Sequence, residues 1–228
     1  MIGILGAMQA EVDRLIGEIQ DLERRTVCGQ IFCCGKIGRS EVVVAKCGVG
    51  KVNAAICAQT MILTFHPEVI INTGVAGSLS PKLDILDVAV ATDAVQHDYD
   101  TSAIGEPNGA LSIRGELVTY LPCDAAWRER LLAAARRVGV KGVPACIASG
   151  DQFISRREDK RRIVETFGAE VCEMEGASIA QTCCIAGVPC AILRAISDST
   201  DDNHSMEFET FLPRAVENSY RILMAVLQ

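Results

Sequence analysis

The stretch 172–198 holds three acids and one arginine in positions suited to acid chemistry. Glu173 and Glu175 flank Met174, where an apolar segment stops and a run of small helix-forming residues starts. Asp198 follows Ser197 at the end of the apolar run 188–196, which also carries Arg194. Strand ends are where open α/β sheets place ligands. A carboxyl group there can deliver or accept a proton, and a carboxylate can steady a developing positive charge. A further acid, Glu11, falls in the first turn of a helix expected at 9–20. The helix dipole favours an anion there and keeps it near the end of the preceding strand.

The elements that must position these acids follow from hydrophobic periodicity. Residues 2–5 read as a short strand, which Gly6-Ala7-Met8 turns into the helix at 9–20. Segments 31–36 and 41–47 read as paired strands joined by Gly38-Arg39-Ser40. Gly48-Val49-Gly50-Lys51 opens a helix reaching 64, but the spacing of a phosphate loop is absent. Its glycines suit a tight turn and a close ligand approach. A buried strand at 68–72 ends in Thr73-Gly74-Val75-Ala76-Gly77-Ser78, which lacks the dinucleotide fingerprint. Then come a strand at 85–92, a long polar loop at 97–115, a short strand at 117–121, a helix at 124–138 and a strand at 143–148. Ser149-Gly150-Asp151-Gln152-Phe153-Ile154 closes that last strand. A helix at 156–167 mixes Arg156, Arg157, Lys160, Arg161 and Arg162 with Glu158 and Asp159, the pattern of a solvated face. A strand at 170–174, a fully buried helix at 176–186 and a central strand at 188–196 lead to a polar loop at 199–205 and a terminal helix at 207–227. The alternation predicts an α/β layered fold in one large domain spanning 1–228.

Bulk properties exclude several function classes. The net charge of −7 argues against a nucleic-acid partner, which needs a basic face. No apolar run reaches the ~18 residues that span a bilayer, so no membrane association is expected. Residues 1–8 lack the basic start of a signal peptide, which predicts a cytoplasmic location. Eleven cysteines include no C-x-x-C pair, and the three histidines are dispersed. The cysteines therefore read as small buried hydrophobes in a reducing compartment, with no metal site and no cofactor expected.

In order along the chain, the strand-end motifs are Gly6-Ala7-Met8 with Glu11, Gly48-Val49-Gly50-Lys51, Asn72 to Gly77, Ser149 to Ile154, Glu173-Met174-Glu175, and Arg194 to Asp198. Together they resemble the bacterial 5′-methylthioadenosine/S-adenosylhomocysteine nucleosidases of the nucleoside phosphorylase/hydrolase superfamily, over essentially the whole chain. The resemblance implies a three-layer α/β/α sandwich around a mixed central sheet. It implies hydrolysis of the N-glycosidic bond of 5′-methylthioadenosine and S-adenosylhomocysteine, with 5′-deoxyadenosine as a further substrate, releasing adenine. By the same resemblance Asp198 acts on adenine N7, with Ser197 orienting it. Glu175 accepts hydrogen bonds from the ribose hydroxyls, with Met174 against the sugar and Glu173 as the lesser acid. Glu11 orients and deprotonates the attacking water, with Arg194 nearby. Met8, Val49 and Phe208 line the sugar or 5′ pocket, Phe153 stacks on adenine, and Ile154 meets the base edge through its backbone. The family also implies a homodimer whose 97–115 loop reaches the neighbour's 5′ pocket, which makes Ile104 a substrate contact.

The chain departs from the family where Val75 replaces a frequent serine, and where Ile104 and Glu106 replace frequent aromatics. Three alternatives remain. A purine nucleoside phosphorylase would need arginines in the loops around 6–11 and 73–77, and neither loop has a basic residue. A futalosine hydrolase would run the same chemistry on a different nucleoside. A non-catalytic nucleoside-binding protein would keep the pocket but lose an acid.

Overall fold

The computed structural model describes residues 1–198 and 204–228, with the side chains of 204–208 outside the description. The first half lays down β1 (Ile2–Gly6), α1 (Gln9–Gly17), β2 (Gln20–Val27), β3 (Gln30–Ile37), β4 (Ser40–Lys46), α2 (Lys51–Phe65), β5 (Val69–Ser78) and β6 (Val88–Gln96). A 3₁₀ turn at Ser102–Ile104 and a small hairpin, β7 (Leu111–Ile113) and β8 (Glu116–Val118), occupy the long polar segment. The second half adds β9 (Leu121–Pro122), α3 (Ala125–Arg137), β10 (Gly142–Ser149), α4 (Arg157–Phe167), β11 (Val171–Glu173), α5 (Gly176–Ala186), β12 (Cys190–Asp198) and α6 (His204–Leu227).

The central strands are apolar on both faces because both faces are covered. In β4, Val43 and Ala45 join the core under α2 and α5, while Val42 and Val44 join the core under α1, α3 and α6. β12 divides the same way, with Ile192 and Ile196 on one side and Leu193 and Ala195 on the other. Such period-2 division of an unbroken apolar run is what a sheet between two helical layers demands. The expected three-layer mixed α/β fold is borne out.

Strand order is β11-β10-β6-β12-β5-β1-β4-β3-β2, with β9 on β6. β1, β4, β5 and β12 run parallel, while β6 meets β12 antiparallel. β11 pairs with β10 on one side and antiparallel with β5 on the other, through Val171 to Ser78 and Cys172 to Gly77. One half of the sheet therefore curls shut. Irregular registers at Ala145/Cys146 and Ile196/Asp198 mark two bends in this half, as bulges do where strands must turn.

Local differences from expectation have local causes. The helix expected at 9–20 stops at Gly17, and Gln20–Val27 is a strand. That strand is a mostly exposed, polar sheet edge, so it carries no apolar alternation to reveal it. β5 continues through the small residues to Ser78, and β12 starts at Cys190 and runs to Asp198. The strand expected at 117–121 is split, with β8 ending at Val118 and β9 starting at Leu121. The loop expected at 199–205 lies mostly outside the described residues. Among the described residues no helix is long and apolar enough to cross a membrane.

Candidate active site

The closure of the sheet sets the carboxyl ends of β1, β5, β11 and β12 around a cavity of about 220 Å³. Each acid arrives on a different element. Glu11 enters from the first turn of α1, only 7 % exposed. Its Oε2 accepts the Met8 N–H at 2.9 Å and its Oε1 accepts the Val75 N–H at 3.1 Å. Burial pushes its carboxyl above the ordinary range, against the pull of Arg194 and the backbone donors. Glycine is required at position 74 between them. A Cβ there would sit 2.6 Å from Glu11 Oε1 and closer still to Arg194 Nη1. Glu11 and Arg194 thus meet over a bare backbone, next to Val75.

Arg194 comes from the middle of β12 and is 1 % exposed. Its guanidinium donates to Glu173, to the Asn72 side chain, to the Val75 carbonyl at 3.4 Å and to Glu175 at 3.4 Å. Burial opposes its charge, but Glu173, Glu175 and Glu11 together hold it firmly cationic. Asn72 also donates to the Leu5 carbonyl at 3.0 Å, so β1 and β12 are tied through one amide.

The two glutamates of β11 and its exit have unequal surroundings. Glu173 accepts from the Ser149 hydroxyl, from the Glu175 N–H at 2.9 Å, from the Gly176 N–H at 2.8 and 3.0 Å to its two oxygens, and from Arg194. Its hydrogen-bonding capacity is directed inward, at the start of α5 where the dipole favours an anion. Glu175 accepts one backbone N–H, from Gly50 at 2.9 Å, and the long contact from Arg194. Burial raises its carboxyl to about 7, with Arg194 pulling the other way. Gly50 makes the turn after β4 possible, with φ +97°. That turn delivers its N–H to Glu175, a use not foreseen from the glycine spacing.

Asp198 closes β12 at 2 % exposure. The Ser197 hydroxyl donates to its Oδ1 at 2.9 Å, and the Lys160 ammonium stands 3.8 Å from its Oδ2. Gly77 faces it, where a Cβ would lie 2.8 Å from Oδ2. Phe153 is 54 % exposed at the cavity rim, while Ile154 beside it is buried.

Glu11, Met8, Val49, Val75, Phe153, Ile154, Glu173, Met174, Glu175, Arg194, Ser197 and Asp198 therefore line one cavity. Ile104 does not; it is 78 % exposed on the 3₁₀ turn. The side chain of Phe208 lies outside the described residues. Sequence reasoning missed Cys172 and Gln152, which also line the cavity, and gave no role to Asn72 or Ser149. It also read Lys160 as solvated, whereas Lys160 is 4 % exposed. Among the described residues no cluster of three or more His, Cys, Asp or Glu could hold a metal ion.

A closed-over mixed sheet with acids at its converging strand ends places the molecule in a known group. The chain belongs to the phosphorylase superfamily, which it matches over residues 1–228. Within it, the chain is 38 % identical over 233 residues to the 5′-methylthioadenosine/S-adenosylhomocysteine nucleosidase of Staphylococcus carnosus, covering 100 % of this chain and 99 % of that protein. It is 36 % identical over 227 residues to the aminodeoxyfutalosine nucleosidase of Helicobacter pylori strain J99, covering 99 % and 97 %. The crystal structure of the Helicobacter pylori 5′-methylthioadenosine/S-adenosylhomocysteine nucleosidase with butyl-thio-DADMe-Immucillin-A superposes with a TM-score of 0.91 at 36 % identity, covering 99 % of this chain and 96 % of that one.

Proposed function

We propose that the protein is a nucleosidase that hydrolyses the N-glycosidic bond of 5′-methylthioadenosine and S-adenosylhomocysteine, releasing adenine. Asp198 protonates adenine N7, so the base leaves neutral. The bond between C1′ and N9 breaks, and water attacks C1′ as its proton passes to Glu11. Glu175 accepts the ribose hydroxyls and lays negative charge under the cationic sugar. Donation from those hydroxyls favours its ionised form, against the burial that raises it. Glu173 is a positioning group in this reading, because its oxygens are committed to Arg194 and to the start of α5. Phe153 stacks on the base at the rim.

The observation that carries hydrolysis rather than phosphorolysis is Glu11 with its neighbours. Arg194 is the one cation among the described residues that line the cavity, and it is bound to two glutamates. A phosphate dianion at that place would face Glu11 and find no free basic side chain. Adenine release from 5′-methylthioadenosine, followed by absorbance with and without phosphate, tests this. Equal rates are expected; release only with phosphate would overturn it.

A second reading shares the chemistry and changes the nucleoside. The 36 % identity to an aminodeoxyfutalosine nucleosidase supports that substrate as well, and competition between the two nucleosides ranks them by kcat/KM. We also propose a cytoplasmic homodimer in which the 97–115 segment, with Ile104 at its exposed turn, covers the neighbour's 5′ pocket.

A further inference from the structure

We propose that Lys160 is a positioning residue that sets the strength of Asp198 as the acid acting on the leaving base. The inference rests on the hydrolase reading given above. The buried positions of α4 are Lys160, Ile163 and Phe167, a single helical stripe. Ile163 and Phe167 pack against Val95, Ala148, Ile154 and Cys172. A lysine at the head of such a stripe gives up most of its hydration, which is costly without an anion to meet it. Among the described residues it meets Asp198, whose Oδ2 lies 3.8 Å from the ammonium, and the two side chains are 5 % and 4 % exposed. The two basic residues that follow it behave as the charge pattern suggests: Arg161 and Arg162 are exposed and pair with Glu165 and Asp159.

The geometry gives Lys160 two effects. The Ser197 hydroxyl donates to Oδ1 from β12 itself, and the Lys160 ammonium stands on the Oδ2 side from α4, so the two oxygens are met from two elements. The ammonium also steadies the carboxylate that remains after the proton has gone to N7, which makes Asp198 a stronger acid. Among the described residues, two further titratable groups stand near the pair. Cys172 lies close to both, but burial raises its thiol to about 12 and keeps it neutral. Glu173 is held by Arg194, Ser149 and the start of α5.

The test compares Lys160→Met, Lys160→Arg, Asp198→Asn and the Lys160→Met/Asp198→Asn double variant in adenine release. Single turnovers are followed where steady-state rates are too low. Lys160→Met is expected to lower kcat about 10- to 100-fold with KM within about threefold, since part of a general acid's contribution is lost. The high-pH limb of kcat should move up by about one pH unit, because Asp198 then keeps its proton longer. Lys160→Arg should restore most of the rate and return the limb. In the Asp198→Asn background, Lys160→Met should cost less than about threefold. An unmoved limb, or an equal loss in both backgrounds, overturns the inference. If Lys160→Met does not fold, Lys160→Gln takes its place and is read the same way. If Asp198→Asn alone releases adenine at the parent rate, the assignment of Asp198 fails. If it is inactive while Lys160→Met leaves the limb in place, only the role of Lys160 fails.

Discussion

Glu173 and Glu175 differ by two positions and should differ in kind when each is made glutamine. Glu173→Gln puts an amide where a carboxylate meets the Ser149 hydroxyl, the Glu175 and Gly176 N–H groups and Arg194. Whichever way the amide turns, its NH₂ faces a donor, and Arg194 loses its closest anion at 1 % exposure. Removing one partner of a buried ion pair costs about 3–5 kcal/mol. In a chain of this size each kcal/mol shifts Tm by roughly 2–4 °C, so a drop of roughly 6–20 °C is expected. Glu175 is the opposite case, because burial raises its carboxyl from an ordinary 4.5 to about 7. A raised carboxyl gives stability that is present below the unfolded value and lost as pH climbs through the folded one. Between those pH values the loss is on the order of 3 kcal/mol. Glu175→Gln escapes it. This variant should match or exceed the parent in Tm at pH 8, lose that advantage at pH 5, and still turn over poorly because the sugar loses its anion. Thermal unfolding of both variants at pH 5 and 8, beside adenine release, measures all of this. A Tm loss below about 2 °C for Glu173→Gln with a loss above about 6 °C for Glu175→Gln would refute the division of labour.

Further expectations concern the water side and the thiols. Glu11→Gln should bind an adenine nucleoside analogue with nearly parent affinity by calorimetry while turnover falls by about 10²–10⁴; persistent turnover would remove Glu11 from the water-activating role. Gly74→Ala should abolish release, because its methyl group would displace Glu11 and Arg194; a crystal structure should show both side chains moved, and parent-like release would contradict the close approach. Cys28 is exposed and should react rapidly with an aromatic disulfide reagent. Cys57 and Cys172, whose thiols burial raises to about 12, should react only on unfolding. Early labelling of Cys172, read by mass spectrometry, would mean that the cavity floor opens.

Much of the fold was legible because it is written in local patterns. The small apolar residues of α5 start and stop as their composition predicts, at Gly176 and Ala186. The runs of β4, β5 and β12 announced buried strands, since a strand covered on both faces needs no polar alternation. Strand β2 was not legible, because an exposed edge is under no such constraint. The cavity-lining motifs could be picked out at strand ends, where the chain departs from its apolar pattern. Lys160 could not, because it sits among charges that are solvated. Which face of α4 turns inward is decided by Ile163 and Phe167 packing beneath the site, not by the charges themselves.

The sequence by itself determined the inventory: the acids Glu11, Glu173, Glu175 and Asp198, the arginine on β12, and the glycines that let the backbone come close. Tertiary structure alone decided how that inventory is shared. Closing the sheet through the β11–β5 pairing brings Glu173 and Glu175 to the strand that carries Gly74 and Gly77. Only there does Arg194 take Glu173 as its closest partner, leaving Glu175, among the described residues, with a long contact and a single backbone donor. Two glutamates separated by one methionine look alike along the chain. They are made different by which donors the closed sheet turns toward each, and hydrogen bonding and burial are properties of that arrangement.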